Sequence, residues 1–145
     1  MGRPTVAEVD LDALAHNVQQ IRRHLKEKVE ILAVVKADAY GHGAGAVAKE
    51  LTLAGVSLLG VASVEEGIAL RQSGVALPIV VLSGVYPGDL QEVLRNRLTP
   101  VLYTWETCRA LMEEAKKSPQ PSGIGVGAPQ FGQRRGLYGG LTLAF

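Results

Sequence analysis

Residues 31–51 read ILAVVKADAYGHGAGAVAKEL. An uninterrupted apolar run, Ile31 to Val35, ends on Lys36; Ala37, Asp38, Ala39 and Tyr40 follow, and glycines then stand at positions 41, 43 and 45. A short, continuous apolar run rich in β-branched residues is the pattern of a parallel strand buried on both faces. The glycines predict the turn that leaves it, and residues 44–54 predict a helix with Val47, Leu51 and Ala54 inward. An ammonium group at the end of such a strand has two readings. It can be a solvated lysine whose stem lies on apolar surface. It can also be a working amine, because parallel α/β folds place their chemistry at the C-terminal ends of strands.

Outward from this stretch the same unit recurs. VSLLGVAS (56–63) is a strand, and Ser63-x-x-Glu66 is a capping box that starts a helix through Gln72, stopped at Gly74. LPIVVLSG (77–84) is a further buried strand; Pro87 and Gly88 then turn the chain into DLQEVLRNR (89–97), with Leu90, Val93 and Leu94 inward. LTPVLYT (98–104) ends on Thr104, placed to cap the helix WETCRALMEEAKK, whose Trp105, Cys108, Leu111 and Ala115 share a face. Upstream, residues 4–10 alternate loosely and predict a short strand. Asp10 then caps a helix with Leu11, Leu14, Val18, Ile21 and Leu25 along one stripe and Arg22, Arg23, Lys26 and Lys28 toward its C-terminal end.

Strands near 31–35, 57–62, 78–83 and 99–103, each followed by a helix, predict an α/β fold with parallel strands. An open doubly wound sheet and a closed (β/α)₈ barrel compete. A dinucleotide-binding sheet opens with G-x-G-x-x-G after its first strand, and KADAYGHGAG does not fit that fingerprint. The barrel is favoured, as a partial one of four to five βα units that stops before closure. After Pro121 the pattern changes. Residues 122–145 are glycine-rich with neither a helical stripe nor an acidic residue; they are expected to form a tail, with GIGVG (123–127) a weak candidate phosphate loop.

Composition narrows the function. Of 145 residues 20% are charged, with a net charge of +1, and 5% are aromatic. That balance argues against a nucleic-acid binder or a disordered chain. One cysteine, Cys108, allows no internal disulfide and fits a reducing compartment. The start MGRPTVAEVDLDAL has no apolar signal core, and no apolar run approaches the ~18 residues of a membrane span, so a cytoplasmic protein is expected.

A lysine flanked by Val34 and Val35 is expected to be partly desolvated, which lowers its pKa and frees its lone pair. Tyr40 stands four residues on. A phosphate-bearing carbonyl cofactor held as a lysine imine suits these groups, and pyridoxal phosphate answers the description.

AVVKADAYGHG (33–43) resembles the pyridoxal-phosphate attachment signature of alanine racemases. RPTVAEVDLDALAHNVQQIR, LLGVASVEEGIALRQSG, PIVVLSG and LTPVLYT are similar to the same family, so the resemblance covers roughly residues 3–118. It implies an isomerase with an N-terminal (β/α)₈ barrel and a C-terminal β-domain. It also implies a homodimer with shared active sites that interconverts L- and D-alanine as a cell-wall precursor. Carried over by position, Lys36 forms the imine and acts as one of two bases, and Tyr40 binds the cofactor phosphate; no metal is implied. His42 is expected to shape the turn. In the family the second base is a tyrosine of the β-domain, and Tyr138 does not match its surroundings. Residues 1–121 are therefore expected to be the N-terminal part of such a barrel. Residues 122–145 are expected to be a tail outside the family, as a truncated gene, a frameshift or a gene-model error would produce, with impaired activity. The alternative is a non-catalytic pyridoxal-phosphate-binding barrel protein that keeps the lysine and lacks the β-domain.

Overall fold

The computed structural model describes residues 6–26 and 28–117. Four strands, β1 (Leu32–Val34), β2 (Leu58–Val61), β3 (Ile79–Val81) and β4 (Leu98–Pro100), form one sheet in the order β1-β2-β3-β4. Every pairing is parallel: Ala33 stands beside Leu59, Leu59 beside Ile79 and Ile79 beside Leu98. Strand order follows chain order with no reversal. A doubly wound sheet reverses at a switch point, whereas a barrel adds each strand to the same growing edge.

The two faces of the sheet decide between those architectures. One face packs Leu59, Val61, Ile79, Val81 and Leu98 against residues of the helices α1 (Leu11–His24), α3 (Ala44–Leu53), α4 (Val64–Gln72), α5 (Leu90–Arg95) and α6 (Trp105–Lys117). Val18, Ala48, Leu51, Leu70, Val93 and Leu111 are their contributions to this main core. The other face carries a small cluster of Leu58, Val80 and Val101 with Leu32 and Leu82, to which no described helix contributes. Helices on one face and residues of the strands alone on the other make an arc of a barrel, as the sequence predicts. Gly67 lets α4 lie close against β4, since a Cβ there would stand 2.9 Å from a Leu98 methyl.

The helices start where their caps are. The Asp10 carboxylate accepts from the Ala13 N–H at 2.9 Å, and both halves of the Ser63–Glu66 box are formed. Thr104 Oγ1 accepts from the Thr107 N–H at 3.2 Å. Among the described residues, no helix is long and apolar enough to cross a membrane.

Some expectations are corrected. Residues 6–10 are irregular rather than a strand; Val6 and Val9 stand three apart, off the two-residue strand period, and both are exposed. Ile21, expected on the inward stripe of α1, is half exposed, and Trp105 is 61% exposed, so Leu111 anchors α6 instead. Gly45 lies inside α3 rather than in the turn.

At the N-terminal ends of the strands two arginines fasten the chain. Arg22 Nη1 donates to the Val29 carbonyl at 2.6 Å and Nη2 to the Gly55 carbonyl at 2.9 Å, just before β1 and β2. Arg71 reaches four carbonyls before β3 and β4. Its Nη1 donates to Val75 and Leu77 at 2.8 and 2.7 Å, its Nε to Asn96 at 2.9 Å and its Nη2 to Arg97 at 3.0 Å. Burial, with the Arg97 charge nearby, lowers the Arg71 pKa from the ordinary guanidinium value.

Candidate functional site

Lys36 stands at the opposite, C-terminal end of β1, as expected. The Val35 N–H donates to the Gly60 carbonyl at 2.8 Å, so the ladder to β2 runs one residue past the strand, and Val35 is buried in the main core. Val35, with φ −124° and ψ 25°, leaves the extended conformation, so Lys36 opens the next turn just past the strand end. The lysine is exposed, not desolvated. β1 is one of the two edge strands of the described sheet. The Lys36 amine has no hydrogen-bond or ion-pair partner among the described residues.

The next element, α2 (Lys36–Gly41), is a single turn of the wrong hand. Ala37, Asp38, Ala39 and Tyr40 have φ of 51°, 53°, 53° and 55° with ψ between 37° and 51°. For L-residues with a Cβ this conformation costs about 1–2 kcal/mol each. The expectation that glycines make the turn is only partly met. Gly41 and Gly43 take positive φ, but four non-glycine residues precede them in the same region.

Contacts around the turn offset that cost. The Ala39 N–H donates to the Val35 carbonyl at 3.0 Å and the Gly43 N–H to the Asp38 carbonyl at 3.0 Å. The Asp38 carboxylate accepts from the Ala44 N–H at 2.6 Å, so it caps α3 and locks the exit of the turn. His42 Nδ1 lies 2.9 Å from the Ala39 carbonyl and 3.2 Å from that of Tyr40, so it carries the proton and shapes the turn as predicted. Glu66 holds the entry. Its Oε1 accepts from the Ala37 N–H at 2.7 Å and its Oε2 from the Ala62 N–H at 2.7 Å. The capping box made Glu66 legible as a helix start, but one carboxylate oxygen suffices for that, and its reach to Ala37 had no signal in the sequence. Beside it, hydrogen bonds from Ser63 and from its own backbone lower the Glu65 pKa.

Tyr40, on the last left-handed residue, is 59% exposed, and its hydroxyl has no partner among the described residues. Tyr103, at the end of β4, donates its hydroxyl to the Leu82 carbonyl at 2.7 Å. Among the described residues no cluster of His, Cys, Asp or Glu could hold a metal ion. The glycine-rich GIGVG segment and Tyr138 lie outside the described residues. A free primary amine and a free phenol, both on a turn fixed from each end, suit a ligand with a carbonyl and a phosphate.

The family described as alanine racemase, N-terminal domain, matches residues 9–128. This chain belongs to that family. The alanine racemase of Geobacter sulfurreducens is 48% identical over 113 residues, which are 78% of this chain and 30% of that protein. The chain thus spans about a third of the length of the curated relatives it matches. The alanine racemase of Clostridium difficile 630, solved in complex with cycloserine, superposes with a TM-score of 0.77 at 42% identity, covering 81% of this chain and 31% of that one. That of Bartonella henselae, solved with covalently bound pyridoxal phosphate, gives 0.68 at 30% identity, over 75% and 30%. The family match runs to residue 128, past the expected boundary at 121.

Proposed function

We propose that this chain carries the cofactor lysine of an enzyme that interconverts L- and D-alanine, with Lys36 holding pyridoxal phosphate and serving as one of two proton-transfer bases. The observation that carries this reading is the placement of Lys36. It is an unpaired amine at a C-terminal strand end, at the start of a strained and externally fastened turn. The Bartonella relative, with its covalently bound cofactor, supports pyridoxal phosphate as the group.

Bound there, the cofactor supplies an electron sink for the bond to an amino acid's α-hydrogen. The chain's own part is positional and acid–base. Lys36 Nζ takes the α-proton from one face of the substrate and can return it. The Tyr40 hydroxyl would help hold the cofactor's phosphate. Asp38 and Glu66 would hold the turn in its left-handed form, which fixes the backbone that carries both side chains. The reading extends to residues 1–121 as part of the cofactor-binding barrel, with 122–145 as a separate tail. It also extends to a cytoplasmic homodimer that supplies D-alanine for the cell wall. A non-catalytic carrier of the same cofactor is the second reading, since every observation but the family match serves it equally.

The test is chemical trapping. Add pyridoxal phosphate to the purified chain, reduce with borohydride and map the modified lysine by mass spectrometry. The adduct is expected at Lys36, and Lys36→Ala is expected to remove the visible absorbance of the complex. An undiminished band in Lys36→Ala rejects the assignment.

A further inference from the structure

We propose that Glu66 is a positioning residue for Lys36, fastening the amide next to the lysine so that its amine meets the cofactor; the inference rests on the function proposed above. Three observations carry it. The Ala37 N–H is the first donor past Lys36, and its partner is Glu66 Oε1 at 2.7 Å. The second oxygen, Oε2, accepts from the Ala62 N–H at 2.7 Å and lies 3.4 Å from the Ser63 N–H, at the C-terminal end of β2. One half-buried carboxylate therefore bridges the ends of β1 and β2, and its longer reach, to Ala37, spans twenty-nine residues of sequence. Moreover, the left-handed run starts at Ala37. At its exit the turn is held from within by Asp38, but at its entry the side chain that holds it comes from another helix.

A capping residue alone would not need this geometry. The box requires only that Glu66 turn back on the Ser63 N–H, and that contact, at 3.4 Å, is the longest of the three. The two short bonds go instead to Ala62 and Ala37. Bonds to an ionised acceptor are the strong ones, so the carboxylate chiefly fixes the strand ends. With the Ala37 amide released, the turn can relax toward the ordinary hand, and Lys36 loses its fixed direction.

The experiment separates fastening from capping. Glu66→Gln replaces one acceptor oxygen with an amide donor and breaks one short bond. Ser63→Ala removes the other half of the capping box and leaves Glu66 free to bridge Ala37 and Ala62. Two readouts are taken on the 145-residue chain: hydrogen exchange at the Ala37 amide, and borohydride trapping of pyridoxal phosphate, scored as the ratio of Lys36 to Lys49 modification. Lys49 is on exposed helix surface and serves as the internal reference. Glu66→Gln is expected to speed Ala37 exchange and to lower the Lys36:Lys49 ratio, each by about tenfold, the scale of one hydrogen bond to a charged group. Ser63→Ala is expected to leave both within about twofold, and Glu66→Asp to restore neither, because the shorter side chain cannot span both strand ends. Equal effects of Glu66→Gln and Ser63→Ala would reduce Glu66 to a helix cap and overturn the inference while the lysine assignment stands. Absence of any Lys36 preference in the unmodified chain would overturn the proposed function and the positioning role with it.

Discussion

Supplied with pyridoxal phosphate, the 145-residue chain is expected to convert L-alanine to D-alanine at least ~100-fold more slowly than a full-length alanine racemase. Racemisation removes a proton from one face of the α-carbon and delivers one to the other, so it takes two groups on opposite sides. Among the described residues, Lys36 is the one exposed, unpaired amine at a C-terminal strand end. Losing one positioned acid–base group commonly costs ~10²–10⁴-fold in rate. Cofactor anchoring is expected to add to the loss, because Tyr40, proposed above to hold the phosphate, is 59% exposed. The measurement is a coupled assay for D-alanine beside the full-length enzyme, at equal concentrations of protein and cofactor. Turnover within tenfold would show that a residue of this chain, or of a second copy, serves as the other base.

At the other end of the strands the expected effect falls on stability. Arg71→Ala should destabilise the fold by about 2–4 kcal/mol, because carbonyls of Val75, Leu77, Asn96 and Arg97 lose their donor together. Water can replace the donor at the more open Arg97 carbonyl, so the four losses do not simply add. Arg71→Lys should recover little, since an ammonium lacks the planar fork that reaches four acceptors at once. Urea unfolding followed by circular dichroism reads the outcome, with a midpoint lower by about 1–2 M if the slope is typical of a small domain. The Lys36:Lys49 trapping ratio should not change below the transition. A shift below about 0.3 M would mean that solvent already satisfies these carbonyls.

The strands and helices were legible because their signals are local. ILAVV, VSLLGV, PIVVL and the caps at Asp10, Ser63 and Thr104 each specify an element without reference to distant residues, and each element is found within a few residues of its expected place. The motif around Lys36 was legible as a motif. Its geometry was not. Nothing in Ala37-Asp38-Ala39-Tyr40 announces four left-handed residues, because alanine is a good right-handed helix former and the conformation is imposed by partners at Glu66 and Ala44. Arg22 and Arg71 were hidden for the same reason. A helix-surface arginine and one that clasps distant carbonyls look alike until the strands are in place. The expected desolvation of Lys36 failed because it presumed a wall of neighbours beside β1, and the described sheet has β1 at its edge.

The turn after Lys36 also inverts an ordinary rule of substitution. In α1 or α3, alanine is the most comfortable residue and glycine among the least. Between positions 37 and 40 the backbone follows the path that mirror-image amino acids would take without effort. There glycine, being achiral, is the residue at ease, and every L side chain is a guest held against its own handedness.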